Sequence, residues 1–420
     1  MKKGLIITAV VIVVLAGGWF FIRTVGSHGL FSVSGTSNSS EKTEQNISDT
    51  ATEAPSASGA HTTVFSTETL GWGTAASPSV HAYSDAELLA LADNTYASGT
   101  VPLGDGKYTT DAPKKGYIYL CHARTSNQGA QANGPWISGS TWNSKQKLSV
   151  SGSVSWPQAY FYNTISGPNR VLTSNALPLN HPTGVFPVST SDPIYAYDRN
   201  PNKISAQFVQ EPVAASPEYS ESPYCINGEI GMMLDGVPLF DGFDAELRDA
   251  PAHEAQDSCD GHPQEKGEYH YHSMSKCFKD IGVKTVLGYA LDGFPITGPL
   301  VAKDKYLTTS DLDVCHGLTS TITVTGKSVT TYHYVMTQDF PYSASCFRGK
   351  PITINPSGGT VNTTSNNIQA NQTGTPPQAA INACSSKRTA SFCSFTDHNN
   401  TIQGSCNIPP DQSVLVCIPN

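Results

Sequence analysis

The chain has 420 residues, enough for one large domain or two to three small ones. Only 14% of them are charged, and Ser, Thr, Asn and Gly fill the gap, a balance that suits a β-rich protein outside the cytosol. The formal net charge of −9 comes without any basic cluster, which argues against nucleic acid and against an anionic membrane surface as partners.

Lys2 and Lys3 precede an uncharged, proline-free run over 5–22, long enough to cross a bilayer. No convincing small-x-small cleavage site follows it. Residues 1–26 therefore read as an uncleaved, single-pass membrane anchor, with the lysine pair in the cytoplasm and the bulk of the chain extracytoplasmic. Residues 27–66 are rich in Ser, Thr, Gly and Glu and poor in large apolar side chains, a tether that cannot bury a core.

Residues 67–351 read as a β-rich region with little helix. Ser84-Asp85-Ala86-Glu87 is a capping-box pattern that opens a short helix to about Ala92. Residues 117–121 and 148–156 alternate apolar and polar as strands do, and Gly, Pro and Asn clusters separate such runs. The proline-punctuated loop 175–187 carries His181, a ligand only if the fold brings it to the histidines further on. Residues 198–202 form a turn. Residues 231–240 and 288–296 both read as apolar strand, Asp-Gly turn, apolar strand. Asp235 and Asp292 are more simply turn residues than acids or ligands.

The densest chemistry lies at 253–278. Four of the chain's 12 histidines fall there: His253, His262, His270 and His272. In Tyr269-His270-Tyr271-His272, strict alternation puts both imidazoles on one face of a strand and both phenols on the other. Two histidines so placed can share one metal ion, zinc or copper, with His253 and His262 as further ligands from the preceding loop. Glu254, Asp257 and Glu268 are the nearby candidates for a general base. The opposing reading is an aromatic strand whose imidazoles simply hydrogen-bond to the backbone or to carboxylates.

Four landmarks recur in one order: Leu-Asp-Gly at 234–236 and 291–293, Cys-x-Gly at 259–261 and 315–317, Tyr-His-Tyr at 269–271 and 332–334, and Cys-Phe at 277–278 and 346–347. This is an internal duplication, with halves at about 225–285 and 286–351. Val335 stands where the second motif's second histidine would fall, so a site would be weighted to the first half. Each half is expected to close its own loop, Cys259–Cys277 and Cys315–Cys346, worth about 3 kcal/mol each in the entropy model. Cys121 and Cys225 are left to pair with each other. A polar linker covers 352–378, and residues 379–420 form a four-Cys tail. A helix over 377–385 and a hairpin over 392–416 favour Cys384–Cys417 and Cys393–Cys406 over a zinc site, since no Cys-x2-Cys pair is present.

Taken jointly, His253-Glu254 with Asp257, Cys-Asp-Gly-His-Pro at 259–263, Tyr-His-Tyr-His at 269–272, Leu-Asp-Gly-Phe-Pro-Ile at 291–296, Asp-Phe-Pro-Tyr at 339–342 and Cys-Phe-Arg-Gly at 346–349 resemble the YHYH domain family over roughly 115–350. The tail resembles a four-Cys segment at the ends of secreted bacterial proteins. The resemblance implies an exported bacterial protein and names no activity. Three functions follow as expectations: a module binding one transition-metal ion, a metal-dependent hydrolase of a cell-envelope polymer, and a disulfide-stapled adhesion or scaffold domain with a surface partner. No zincin, nucleophile-elbow or carboxylate-pair signature decides for an enzyme.

Overall fold

The structure, a computed structural model, describes residues 80–352, except 125, 127 and 128, and parts of 378–419. The expected anchor, the tether and most of the linker lie outside the described residues. Among the described residues, no helix is long and apolar enough to cross a membrane.

The protein is mainly β. Among the described residues, nine strands form the largest sheet: β1 (Ala82–Tyr83), β2 (Glu229–Met233), β3 (Pro238–Phe240), β4 (Gly261–Pro263), β5 (Tyr269–Tyr271), β6 (Val286–Ala290), β7 (Pro295–Thr297), β8 (Gly317–Val324) and β9 (Lys327–Val335). Their spatial order is β1-β8-β9-β7-β6-β2-β3-β5-β4. Leaving out β1, the order is symmetric about the antiparallel pair β2–β6. On one side β3 runs antiparallel to β2 and parallel to β5, which pairs antiparallel with β4. On the other side β7, β9 and β8 repeat those three relations. The sequence duplication is thus a pseudo-two-fold of the sheet. Both tight turns need a left-handed residue after the Asp, and Gly236 (φ +87°) and Gly293 (φ +93°) supply it.

Each half is locked by the same pair of Asp–Tyr contacts, all buried except the half-buried one at Asp313. Tyr271 Oη donates to Asp235 (2.8 Å) and Tyr269 Oη to Asp257 (2.9 Å). In the second half, Tyr334 donates to Asp292 (2.6 Å) and Tyr332 to Asp313 (3.0 Å). Asp257 also accepts the amides of Cys259 and Gly261, as Asp313 accepts those of Cys315 and Gly317. One carboxylate therefore fixes the entry to a strand, the half-cystine and the tyrosine of the facing strand, which explains the Asp-x-Cys-x-Gly spacing. The turn aspartates carry more than turn geometry: each is also the buried acceptor of a phenol. A buried polar group without such a partner would cost about 1–3 kcal/mol.

The helix α1 (Asp85–Leu91) starts where the sequence places it, with Ser84 and Glu87 forming the capping box. A three-stranded sheet (Phe161–Ser166, Asn169–Ser174, Val209–Ala214) packs Phe161, Leu172 and Val213 with Met232 of β2 and Tyr289 of β6. The strand expected over 148–156 does not form. Val150 and Val154 make single bridges to Asp257 and Thr183, and Gly152 between them has φ +106°, which breaks the extended run. Three disulfides join Cys121–Cys225, Cys259–Cys277 and Cys315–Cys346, as expected. The tail departs from expectation, with Cys384–Cys406 and Cys393–Cys417. Its described residues form three strands (Phe392–Asp397, Asn400–Asn407, Val416–Pro419) instead of one hairpin, so Cys393 faces Gly404 in register and not Cys406.

Candidate metal centre

The register of β4 and β5 builds the site. His262 stands directly opposite His270, and His272 follows one residue beyond β5 on the same face as His270. All three imidazoles are buried, with relative exposures of 3–4%. One ring nitrogen of each lies within 4.8 Å of the others. Glu254, the C-cap of α2 (Ala250–His253), adds a carboxylate. Its Oε2 is 3.3 Å from His262 Nε2 and 3.4 Å from His272 Nε2, while His270 Nε2 is 3.0 Å from His272 Nε2. A four-coordinate zinc with bonds near 2.0–2.1 Å needs ligand–ligand edges of about 3.3–3.4 Å.

The outer nitrogens fix the protons. His270 Nδ1 faces the Glu268 carbonyl at 3.1 Å, and His272 Nδ1 faces the Asp241 carbonyl. A carbonyl only accepts, so both Nδ1 atoms carry the hydrogen, and this assignment leaves two bare Nε2 lone pairs facing each other. Glu254 Oε2 and His262 Nε2 are themselves buried, and although 3.3 Å apart they are not aligned as a hydrogen bond. Such an arrangement is unfavourable unless a cation or a shared proton sits among the four atoms. His262 is the ligand whose proton has to move: the Asn200 amide, which donates to the Pro263 carbonyl (3.1 Å), lies 3.3 Å from its Nδ1.

Burial sets the charge states. It lowers the imidazoles of His270 to about 3 and of His272 to about 4, the former helped by its neighbour His272, and takes His262 well below its ordinary value. Burial, with Asp244 and Asp198 nearby, pushes Glu254 well above the usual carboxylate range. Burial thus favours the uncharged form of all four groups, and a divalent ion would take the place of a proton among them. A second layer holds the ligands. Arg124 pairs with the Asp241 carboxylate (2.7 Å), whose backbone carbonyl orients His272. Asp198 accepts the amide of Ala255 (2.6 Å), next to Glu254. Phe240 packs on the His270 ring at 4.3 Å between centroids.

Residues 209–309 match the family model described as YHYH protein. The match takes in the first half and the opening of the second, narrower than the resemblance over 115–350. No curated protein and no solved structure matches the chain.

Within the YHYH region, not every expected site residue meets the cluster. His253 does not. It closes α2 facing the other way and is held by Asp105, with Nε2 at 2.9 and 3.1 Å from the two carboxylate oxygens. Asp257 is committed to three backbone amides and Tyr269. Glu268 contributes its carbonyl to His270, while its carboxylate accepts from Gln264 (2.8 Å). His181 lies on the opposite face of β5, at Tyr271 Oη (2.6 Å). Sequence reading missed the roles of Asn200 and Asp198 in the 198–202 turn, where only the Asp and Asn of a tight turn gave a signal.

The second half lacks the cluster for a reason now visible. In register, Leu318 opposes His333 where His262 opposes His270, and Val335 follows where His272 does. Ser310 precedes Asp313 by the interval at which Glu254 precedes Asp257. His333 is a core residue, fully buried between Thr297 Oγ1 and Ser320 Oγ, both at 2.8 Å. Burial lowers its imidazole to about 3. A histidine held neutral stabilises fully above the unfolded value near 6.5, and that contribution is lost as pH falls from there towards 3. Denaturant titrations should therefore show wild type losing up to about 2–3 kcal/mol relative to His333→Gln between pH 6.5 and 4.5. Parallel stability curves for the two proteins would count against a neutral, buried His333.

Proposed function

We propose that this YHYH-region protein binds one divalent transition-metal ion, zinc foremost, through His262, His270, His272 and Glu254, on a chain tethered outside the cytoplasm. One observation carries the reading: two imidazole Nε2 atoms, each with its proton fixed on the far nitrogen, face each other at 3.0 Å beside an unpartnered buried carboxylate oxygen. Three imidazoles and a carboxylate are a donor set that suits zinc. Three imidazoles and a carboxylate fill four positions, so Glu254 is a ligand and not a free base. The ion then holds β4, β5 and the end of α2 together as a fixed unit.

The hydrolase reading needs an open position and a base. Asp257 and Glu268 are engaged elsewhere, so support for it is thinner. The metal-free scaffold reading leaves the two facing acceptors, His270 Nε2 and His272 Nε2 at 3.0 Å, unexplained. Elemental analysis of the purified ectodomain, residues 67–420, beside His270→Ala/His272→Ala tests the proposal. We expect about one equivalent of zinc in the wild type and loss of it in a still-folded variant. A wild type that takes up no metal after reconstitution would end the proposal.

A further inference from the structure

The three imidazoles of the proposed centre all lie inside one covalent ring. Cys259 and Cys277, 18 residues apart in sequence, close it, and His262, His270 and His272 fall between them. Inside the ring, β4 and β5 share only three residue pairs. A pairing that short is marginal by itself, so the disulfide is what holds its open end. Ser275 strengthens the same end, donating to the Cys259 carbonyl (2.6 Å) and accepting the Cys277 amide (3.2 Å).

This disulfide also has a neighbour that its counterpart lacks. A ring nitrogen of His181 lies within 4.8 Å of both sulfurs. Among the described residues, no histidine is placed in that way at Cys315–Cys346. His181 reaches the Pro182 carbonyl through Nδ1 (2.9 Å) and Tyr271 Oη through Nε2 (2.6 Å). Tyr271 spends its single proton on Asp235, so its oxygen can only accept from His181. Both ring nitrogens then donate, which makes His181 an imidazolium. Against the burial that would lower it, Asp235 and the Pro182 carbonyl hold its affinity for the proton above the ordinary value. In the second half, the backbone amide of Arg348 (2.7 Å) takes the same place at Tyr334 Oη and brings no charge.

We propose that Cys259–Cys277 is a redox latch on the metal loop: a thiol reductant opens it, opening releases the ion, and the bound ion protects the latch. This rests on the metal-binding reading above. Cys259 is buried (1% exposed), whereas Cys277 is half-buried, so an incoming thiolate attacks the Cys277 sulfur. The S–S bond breaks, Cys259 leaves as a thiolate beside the His181 imidazolium, and a mixed disulfide forms on Cys277. The second thiol of a dithiol reductant then displaces Cys277. Two electrons enter the protein, and the reductant leaves as its own cyclic disulfide. Coupling between latch and ion is reciprocal, so each stabilises the other by the same factor.

The probes are zinc and dithiothreitol. Zinc affinity is measured by chelator competition for oxidised wild type, Cys259→Ser/Cys277→Ser and Cys315→Ser/Cys346→Ser. In parallel, thiols appearing at each cysteine of wild type are trapped by alkylation and read by peptide mass, with and without saturating zinc. Opening the first latch should weaken zinc binding about tenfold or more, and the second pair should leave it within about twofold. Zinc should slow reduction of Cys259–Cys277 about tenfold, and without zinc that bond should open before Cys315–Cys346. Equal zinc affinity with the latch open, or reduction at the same rate with and without zinc, overturns the latch. Should the Cys259→Ser/Cys277→Ser variant not fold, the wild-type reduction rates decide alone. A wild type that binds no zinc while oxidised instead overturns the metal reading itself.

Discussion

Stripping the ion from wild type with a chelator at neutral pH should lower its melting temperature by about 10 °C, and His270→Ala/His272→Ala should show no such shift. The size follows from linkage. An ion that binds only the folded state, at a thousandfold excess over its Kd, stabilises by about 4 kcal/mol. One kcal/mol moves the melting temperature of a domain this large by about 2–4 °C. The direction follows from the site. Without the ion, the bare nitrogens of His270 and His272 face each other at 3.0 Å in a buried site. The check is a pair of thermal unfolding curves for each protein, with chelator and with added zinc. An unchanged melting temperature for wild type would mean that the ion contributes nothing to the fold.

The second large effect concerns a glycine. A Cβ on Gly261 would stand 2.2 Å from the Tyr269 Cζ, and one on Gly317 would stand 2.3 Å from the Tyr332 Oη. Both rings are fully or nearly fully buried, pinned by Asp257 and Asp313, so neither can give way cheaply. Gly261→Ala and Gly317→Ala should each cost about 3 kcal/mol or more, at the upper end of overpacking. They should differ in one respect. Gly261 pairs with Tyr271 in the register that places His262 opposite His270, so Gly261→Ala should also lose the metal. Gly317 holds the half without ligands, and Gly317→Ala should keep it. Denaturant unfolding combined with metal content separates the two, and equal metal retention in both variants would contradict this account of the register.

Much of this arrangement was legible in the sequence, and the rest was not, for physical reasons. The alternation of Tyr269-His270-Tyr271-His272 has a period of two, and it puts the imidazoles and the phenols on opposite faces of the strand, as the structure has them. The repeated Leu-Asp-Gly and Cys-x-Gly landmarks gave the duplication and two of its disulfides. What pattern cannot give is register across a gap. His262 and His253 looked equivalent as loop histidines. Strand pairing brings one to His270, and a single helical turn sends the other to Asp105 while bringing Glu254 inward. The loss of the second site was half visible in Val335, but Leu318 gave no sign until the strands were paired. The run 148–156 shows the opposite error: alternation without a neighbouring strand to receive it yields isolated bridges. The tail pairing failed because a third strand competes for the cysteines of the first two.

The most direct measurement on the central claim is X-ray absorption at the metal edge of the purified, metal-loaded ectodomain. The account predicts a four-coordinate ion with light scatterers at about 2.0–2.1 Å, the outer-shell pattern of three imidazoles and no sulfur. Fewer than three imidazoles, a sulfur neighbour, or an ion still held after His270→Ala/His272→Ala would contradict a centre built from His262, His270, His272 and Glu254.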